Sequence, residues 1–246
     1  MKIYAVDLGN SEIKRALIED GKISEIKRSP TADLDNLLDE ISSQDAPVAL
    51  SCVRKSGGEK IKVALANKNK ELIVDINSKT ASPVTGFYDG IGADRIADIS
   101  AAWTDYGSKR PVAVIGLGTA STITASSTAG IFKGGFITLG LGSVCATLTS
   151  ALPDLPAIDP RQARSLEPGF EVYASICRGT VAAHVGIVEE WISIFRRDLG
   201  EDLYVIATGG WCELIAGYCP SIQKVDPLLT LKGIWTVAAP KLRSGG

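Results

Sequence analysis

The sequence predicts an α/β protein made of two copies of one unit, each a mixed sheet flanked by helices. Three observations carry this. Val6-Asp7-Leu8-Gly9-Asn10-Ser11 and Ile115-Gly116-Leu117-Gly118-Thr119-Ala120 each run apolar residues into a Leu-Gly turn followed by small polar residues. Each is followed at the same offset by a second strand-like run and another turn, Asp20-Gly21 in one case and Ala129-Gly130 in the other. Beyond a third strand-like run the apolar spacing then changes in both halves from a period of two to about 3.6, the change from strand to helix. Self-similarity of this kind marks a duplicated architecture.

The elements follow in order. Met1 to Val6 and Ile13 to Ile18 read as strands, and Leu34, Leu37, Leu38 and Ile41 form a helical stripe. Pro47 to Val53 is a strand, Ile61 to Ala66 a helix and Leu72 to Ile76 a strand. In the second half Thr122 to Ala125 is a strand, and Ile176, Ala183, Ile187, Trp191, Ile194 and Phe195 share one face of a long helix. Leu203 to Ala207 is a strand, Glu213 to Ala216 begins a helix, and Leu228 to Val237 closes the chain as another. Strands alternating with helices imply sheets covered on both faces. Ile96, Ile99 and Trp103 share a helix face in the linking segment, so the boundary falls near Gly107 to Arg110, dividing the chain into 1–108 and 109–246.

Of the 246 residues 45% are hydrophobic and 22% charged, the composition of a soluble globular protein with material for a core. The net charge of -2 is spread without a basic block, which argues against a nucleic-acid partner. No apolar run reaches the length of a membrane span, and the chain opens on a strand-like run without a charged leader. Five widely spaced cysteines lack a CxxC pair or a neighbouring histidine, so the expected home is a reducing cytoplasm. His184 is the only histidine and lies in a helical apolar pattern, where it reads as a packed structural residue.

Glycine turns between strands let backbone N–H groups approach an anion, and small hydroxyl or amide residues add donors. Either turn alone reads first as a plain hairpin. Two at matching positions point to phosphate binding, because duplicated halves place equivalent turns on opposite sides of one cleft. Thr208-Gly209-Gly210 ends a strand and precedes a helix, where backbone can approach a base or ribose; its other reading is a Gly-rich helix start. Gly92-Ala93-Asp94-Arg95 opens a helix. This Asp and Arg either cap it toward solvent or supply the carboxylate and cation that phosphorylating an anionic alcohol requires.

Asp7-x-Gly9-Asn10-Ser11 with Ile13-Lys14, Gly92-Ala93-Asp94-Arg95, Gly118-Thr119-Ala120-x-Thr122, Gly134-Gly135-x-Ile137, Thr208-Gly209-Gly210 and Leu231-x-Gly233 occur in the order and at about the spacings of type III pantothenate kinases. The chain resembles that family over nearly its whole length. The resemblance implies the duplicated actin-like ATPase fold, with ribonuclease H-like domains and an interdomain cleft. It also implies ATP-dependent phosphorylation of pantothenate, the first step of coenzyme A synthesis, by a homodimer using Mg²⁺ and a monovalent cation, potassium or ammonium. By position, Asp94 resembles the general base, while Arg95, Gly92 and Tyr88 fall in the substrate pocket. Asp7, Gly9, Asn10, Ser11 and Lys14 resemble the first phosphate and metal turn, with Asp7 toward the metal. Gly118, Thr119 and Thr122 resemble the second turn, and Gly209 and Gly210 the adenosine side.

The chain departs from the family pattern at Gly116, where an aspartate that helps place a cation is usual, at Leu139, where proline is usual, and at Val172, where a pantothenate-contacting threonine is usual. Two readings follow, an active pantothenate kinase and a catalytically weakened homologue that binds nucleotide or a coenzyme A precursor as a regulator. Asp98 reads either as a carboxylate that compensates for Gly116 or as a solvated helix residue.

Overall fold

The computed structural model of the chain describes residues 1–107 and 109–244; the expected boundary at Gly107 to Arg110 includes Ser108, which lies outside the described residues. In chain order the elements are β1 (Lys2–Leu8), β2 (Glu12–Glu19), β3 (Lys22–Pro30), α1 (Leu34–Ser43), β4 (Val48–Cys52), α2 (Lys55–Asn67), β5 (Leu72–Asp75) and α3 (Ala93–Ala102). They continue as β6 (Val112–Leu117), β7 (Ala120–Ser126), β8 (Phe132–Leu139), α4 (Leu141–Ala151), α5 (Val172–Leu199), β9 (Tyr204–Thr208), α6 (Cys212–Ala216), β10 (Lys224–Val225) and α7 (Leu229–Ser244).

Two compact units result, one holding the described residues of Met1–Ser108, Ala129–Phe132 and Leu228–Gly246, the other Lys109–Thr128 and Lys133–Pro227. A division at 108/109 would have put α7 in the second. Among the described residues there are two five-stranded sheets, ordered β3-β2-β1-β4-β5 and β8-β7-β6-β9-β10. Within its own unit each sheet has the same order, third-second-first-fourth-fifth. In both, the first strand pairs antiparallel with the second and parallel with the fourth.

In the first unit β1 is buried on both faces, which is why it reads as a continuous apolar run rather than an alternating one. Tyr4, Val6 and Leu8 pack with Leu37, Ile41, Ile61 and Leu65 of α1 and α2, while Ile3 and Ala5 pack with Ile96 of α3 and Leu231 and Ile234 of α7. In the second unit Ile115, Leu117 and Ile123 pack against Val181, Val188, Ile192 and Phe195 of α5. The buried stripe is not the expected face: of Ile176, Ala183, Ile187, Trp191, Ile194 and Phe195 only Phe195 is buried, while Ala183 and Ile187 are exposed, because the sheet covers the neighbouring stripe of the same helix. His184, on the same helix, is buried and its Nε2 lies 2.7 Å from Ser121 Oγ, a packed, partnered histidine.

One polar network ties α1 to the sheet. Glu40 accepts from Tyr4 Oη at 2.8 Å, Arg15 Nε at 2.7 Å and Lys27 Nζ at 2.7 Å. Burial works to raise its carboxyl pKa, but these donors outweigh it and hold the group down at about 2. A depressed carboxyl pKa contributes stability that is complete above the unfolded value and is lost as pH falls toward the folded one. Glu40→Gln is therefore expected to lower stability at pH 7 by on the order of 2 kcal/mol, with the deficit shrinking toward pH 3. Urea unfolding of both proteins at the two pH values measures this.

Candidate active site

The first turn follows from the register of β1. Asp7 stands directly across from Lys14 on β2 and from Ser51 on β4. Cross-strand partners project from one face of a sheet, so carboxylate, ammonium and hydroxyl form a row. Ser51 Oγ donates to Asp7 Oδ1 at 3.1 Å. Asp7 is buried, and burial first, opposed by Lys14 and aided by Asp94, pushes its pKa up to about 7. The hairpin is closed by Gly9 N–H donating to Glu12 O at 3.0 Å, which leaves Asn10 and Ser11 exposed at the tip.

α3 delivers the second group. Asp94 stands in its first turn, and its Oδ1 accepts the backbone N–H of Arg95 at 2.8 Å. That carboxylate folds back over Gly92, where an added Cβ would overlap Oδ1. Asp94 keeps part of its surface open, yet the protein packed around it raises its pKa. Arg95 is buried and its Nη1 donates to Tyr88 Oη at 3.0 Å. The Tyr88 ring packs at 5.9 Å on Phe132, from the 129–132 segment of this unit.

Asp98 lies one helical turn beyond Asp94 and is not a solvated residue, being only 7% exposed. Its Oδ1 has no hydrogen-bond partner among the described residues, and burial, then Asp94, drives its pKa well above the ordinary value. The Thr230 hydroxyl, at the start of α7, opposes that rise through a hydrogen bond. Asp7, Asp94 and Asp98 thus form an electrostatically coupled acidic group with Lys14 as their shared cation. Among the described residues no three potential ligands converge on one metal position.

In the second unit the matching hairpin is closed by Gly118 N–H donating to Ala120 O at 3.0 Å, with Thr119 exposed at its tip. Gly116 faces Thr122 on β7 and Thr208 on β9. After β9 the backbone turns at Gly209, with φ of 96° and packed so closely on Leu117 that a side chain would meet its backbone. Gly210 is open, with nothing within 4 Å of an added Cβ. The next residue, Trp211, lines a cavity of about 550 Å³ together with Cys145, Asp159 and Arg161. The Arg161 guanidinium lies 4.3 Å over the Trp211 ring. Sequence reading missed this cavity, because α4 and the segment after it carry no clear period.

The structure thus groups Asp7, Gly9, Asn10, Ser11, Lys14, Tyr88, Gly92, Asp94 and Arg95 in one unit and Gly118, Thr119, Thr122, Gly209 and Gly210 in the other. Val172 and Leu139 are both more than half exposed.

A profile of the type III pantothenate kinase family matches residues 3–193. A type III pantothenate kinase of Syntrophobacter fumaroxidans is 35% identical over 166 residues, 66% of this chain and 63% of the relative's length. One of Desulfosudis oleivorans is 28% identical over 94% of this chain and 96% of its own. Among solved structures, a conserved candidate Baf family transcriptional activator from Campylobacter jejuni aligns with a TM-score of 0.69 at 20% identity, covering 98% and 99% of the two chains. MreB 5 of Spiroplasma citri, solved bound to AMPPNP, aligns with a TM-score of 0.58 at 10% identity, covering 100% and 98%. These likenesses show the fold, that of duplicated actin-like ATPase domains.

Proposed function

The chain belongs to the type III pantothenate kinase family, and from that premise we propose that it transfers the γ-phosphoryl group of ATP to the hydroxyl of pantothenate, the first step of coenzyme A synthesis. The observation that carries this reading is the pair at the start of α3, a carboxylate of raised pKa beside a buried arginine held by Tyr88. A carboxylate that holds its proton more tightly than usual is a better acceptor for a hydroxyl proton near neutral pH. Asp94 takes that proton as the hydroxyl oxygen bonds to the γ-phosphorus and the bond to the β-phosphate oxygen breaks, releasing ADP. Arg95, with Tyr88 and the backbone at Gly92, holds the pantothenate carboxylate by charge-assisted hydrogen bonds. Gly9, Asn10, Ser11 and Lys14 bind nucleotide phosphates, as do Gly118, Thr119 and Thr122; adenosine lies along Gly209 and Gly210, beside Trp211.

Mg²⁺ fits Asp7. A magnesium ion takes one or two carboxylates and completes its shell with phosphate oxygens and water, so a lone carboxylate strained by burial suffices. When bound, the ion neutralises charge on the transferring phosphate. In the second turn Gly116 and its two threonine partners offer no carboxylate to balance the charge of a monovalent cation.

The family expectation of a cytoplasmic homodimer is part of this reading. Five free cysteines and the exposed apolar residues Ile137 and Leu139 of β8 support it. Among the described residues no helix is long and apolar enough to cross a membrane. Gly116 is also the observation that favours the second reading, a nucleotide-binding regulator of weakened catalysis. Incubating purified protein with ATP, Mg²⁺ and pantothenate separates the two. ADP release that depends on pantothenate, with phosphopantothenate identified by mass, is the expected result; nucleotide binding without turnover would leave the regulator.

A further inference from the structure

Laid on one another residue by residue, the two units differ sharply at one row. The first has Asp7, Lys14 and Ser51 in register. The second has Gly116, Thr122 and Thr208 at the same three positions. A charged row in one half therefore corresponds to a neutral row of two hydroxyls around a bare backbone in the other.

The details of that neutral row point to a ligand. An added Cβ at Gly116 would lie 2.8 Å from Thr122 Oγ1, so the hydroxyl stands over the glycine. Thr208 is 3% exposed, and its Oγ1 has no hydrogen-bond partner among the described residues. Buried hydroxyls are seldom left unpaired unless something else uses them. Ser121, one residue before Thr122, projects to the opposite face and is already matched with His184. Thr208 is also the last residue of β9, and the carboxyl ends of parallel strands are where α/β sheets collect ligands.

We propose that Gly116, Thr122 and Thr208 form a charge-neutral phosphate cradle, in which the two hydroxyls donate directly to a nucleotide phosphate oxygen and no monovalent cation takes part. The physical reason is electrostatic. A carboxylate facing a phosphate repels it, and a cation between them relieves the repulsion. With hydrogen at Gly116 there is nothing to relieve, and two neutral donors can meet the anion themselves. Thr208 becomes a binding residue, and the chain needs neither potassium nor ammonium. This inference rests on the nucleotide-binding part of the reading above.

The test is calorimetric titration of the full chain with Mg²⁺ and AMPPNP in potassium, ammonium or choline chloride at equal ionic strength, with pantothenate turnover measured in the same salts. Affinity and rate are expected to agree within about twofold across the salts, Thr208→Val to weaken nucleotide binding about tenfold, and Thr208→Ser to recover most of it. A tenfold or larger gain in potassium or ammonium would overturn the proposal, as would wild-type affinity in a folded Thr208→Val protein. The expected binding pattern without pantothenate turnover would remove the kinase assignment and leave the cradle standing. A wild-type chain that binds no nucleotide would overturn both.

Discussion

Asp94→Asn is expected to lower the rate of pantothenate phosphorylation by about 10³-fold while nucleotide affinity stays within about threefold of wild type. Asparagine keeps the shape of the side chain, and its carbonyl oxygen can still accept the Arg95 N–H that Asp94 Oδ1 accepts at 2.8 Å. What it removes is the proton acceptor. It also removes one carboxylate from a group in which Asp94 raises the pKa of both Asp7 and Asp98, so the variant has no electrostatic reason to unfold. An unchanged melting temperature beside a collapsed rate is the pattern that separates a base from a cap. The pH profile adds a second readout. A base must be ionised, so the rate of the wild type rises with pH through the pKa of Asp94, which burial places above the ordinary carboxylate value. Because Asp7 and Asp98 titrate with it, the acid limb belongs to the group. Wild-type turnover in Asp94→Asn would make this residue a helix cap and leave the chemistry to another carboxylate.

The duplication was legible in the sequence because each half spends one Leu-Gly turn and, twelve residues on, a second glycine turn on the same geometry, and the two sheets share one order. Asp7 and Asp94 were legible through the motifs that resemble the family's and not through their placement alone, since a carboxylate in the first turn of a helix is an ordinary capping arrangement. The start of α2 was less legible. Gly57 and Gly58 argue against helix by propensity, yet an added Cβ on Gly57 would meet Leu8 Cδ2 at 2.6 Å, and one on Gly58 would meet Cys52 Sγ at 3.1 Å. Packing against the sheet decides those positions. α4 was missed because Ser and Thr interrupt its apolar period; Thr147 and Thr149 return their hydroxyls to the carbonyls of Ser143 and Cys145. Asp98 could not be resolved from spacing, because burial depends on what covers the helix. The covering element is α7, more than a hundred positions later in the chain. An amphipathic stripe shows that a helix packs, but carries no address for its partner.

The close approach to that partner depends on Gly233, and Gly233→Val is expected to destabilise the protein by about 3 kcal/mol or more. A Cβ at Gly233 would overlap the carbonyl carbon and oxygen of Ala97 and come within 2.8 Å of its Cα, so α7 crosses α3 backbone against backbone. No rotamer change relieves a clash with main chain. The helices must separate, and with them the contact of Leu231 and Ile234 with Ile96, Ile3 and Ala5. For a chain of this size such a loss lowers the melting temperature by roughly 6–12 °C. The effect reaches the site as well, because Asp98 and Asp94 ride on α3 and the Thr230 hydroxyl that serves Asp98 rides on α7. Gly186→Ala supplies the contrast. Gly186 lies in the middle of α5 with nothing within 4 Å of an added Cβ, so alanine should stabilise by about 0.5–1 kcal/mol through helix propensity alone. Thermal melts of the two variants beside wild type should therefore move in opposite directions. A Gly233→Val protein that melts with wild type would show that α7 can shift off α3 without cost, and the positioning of Asp98 by Thr230 would fall with it.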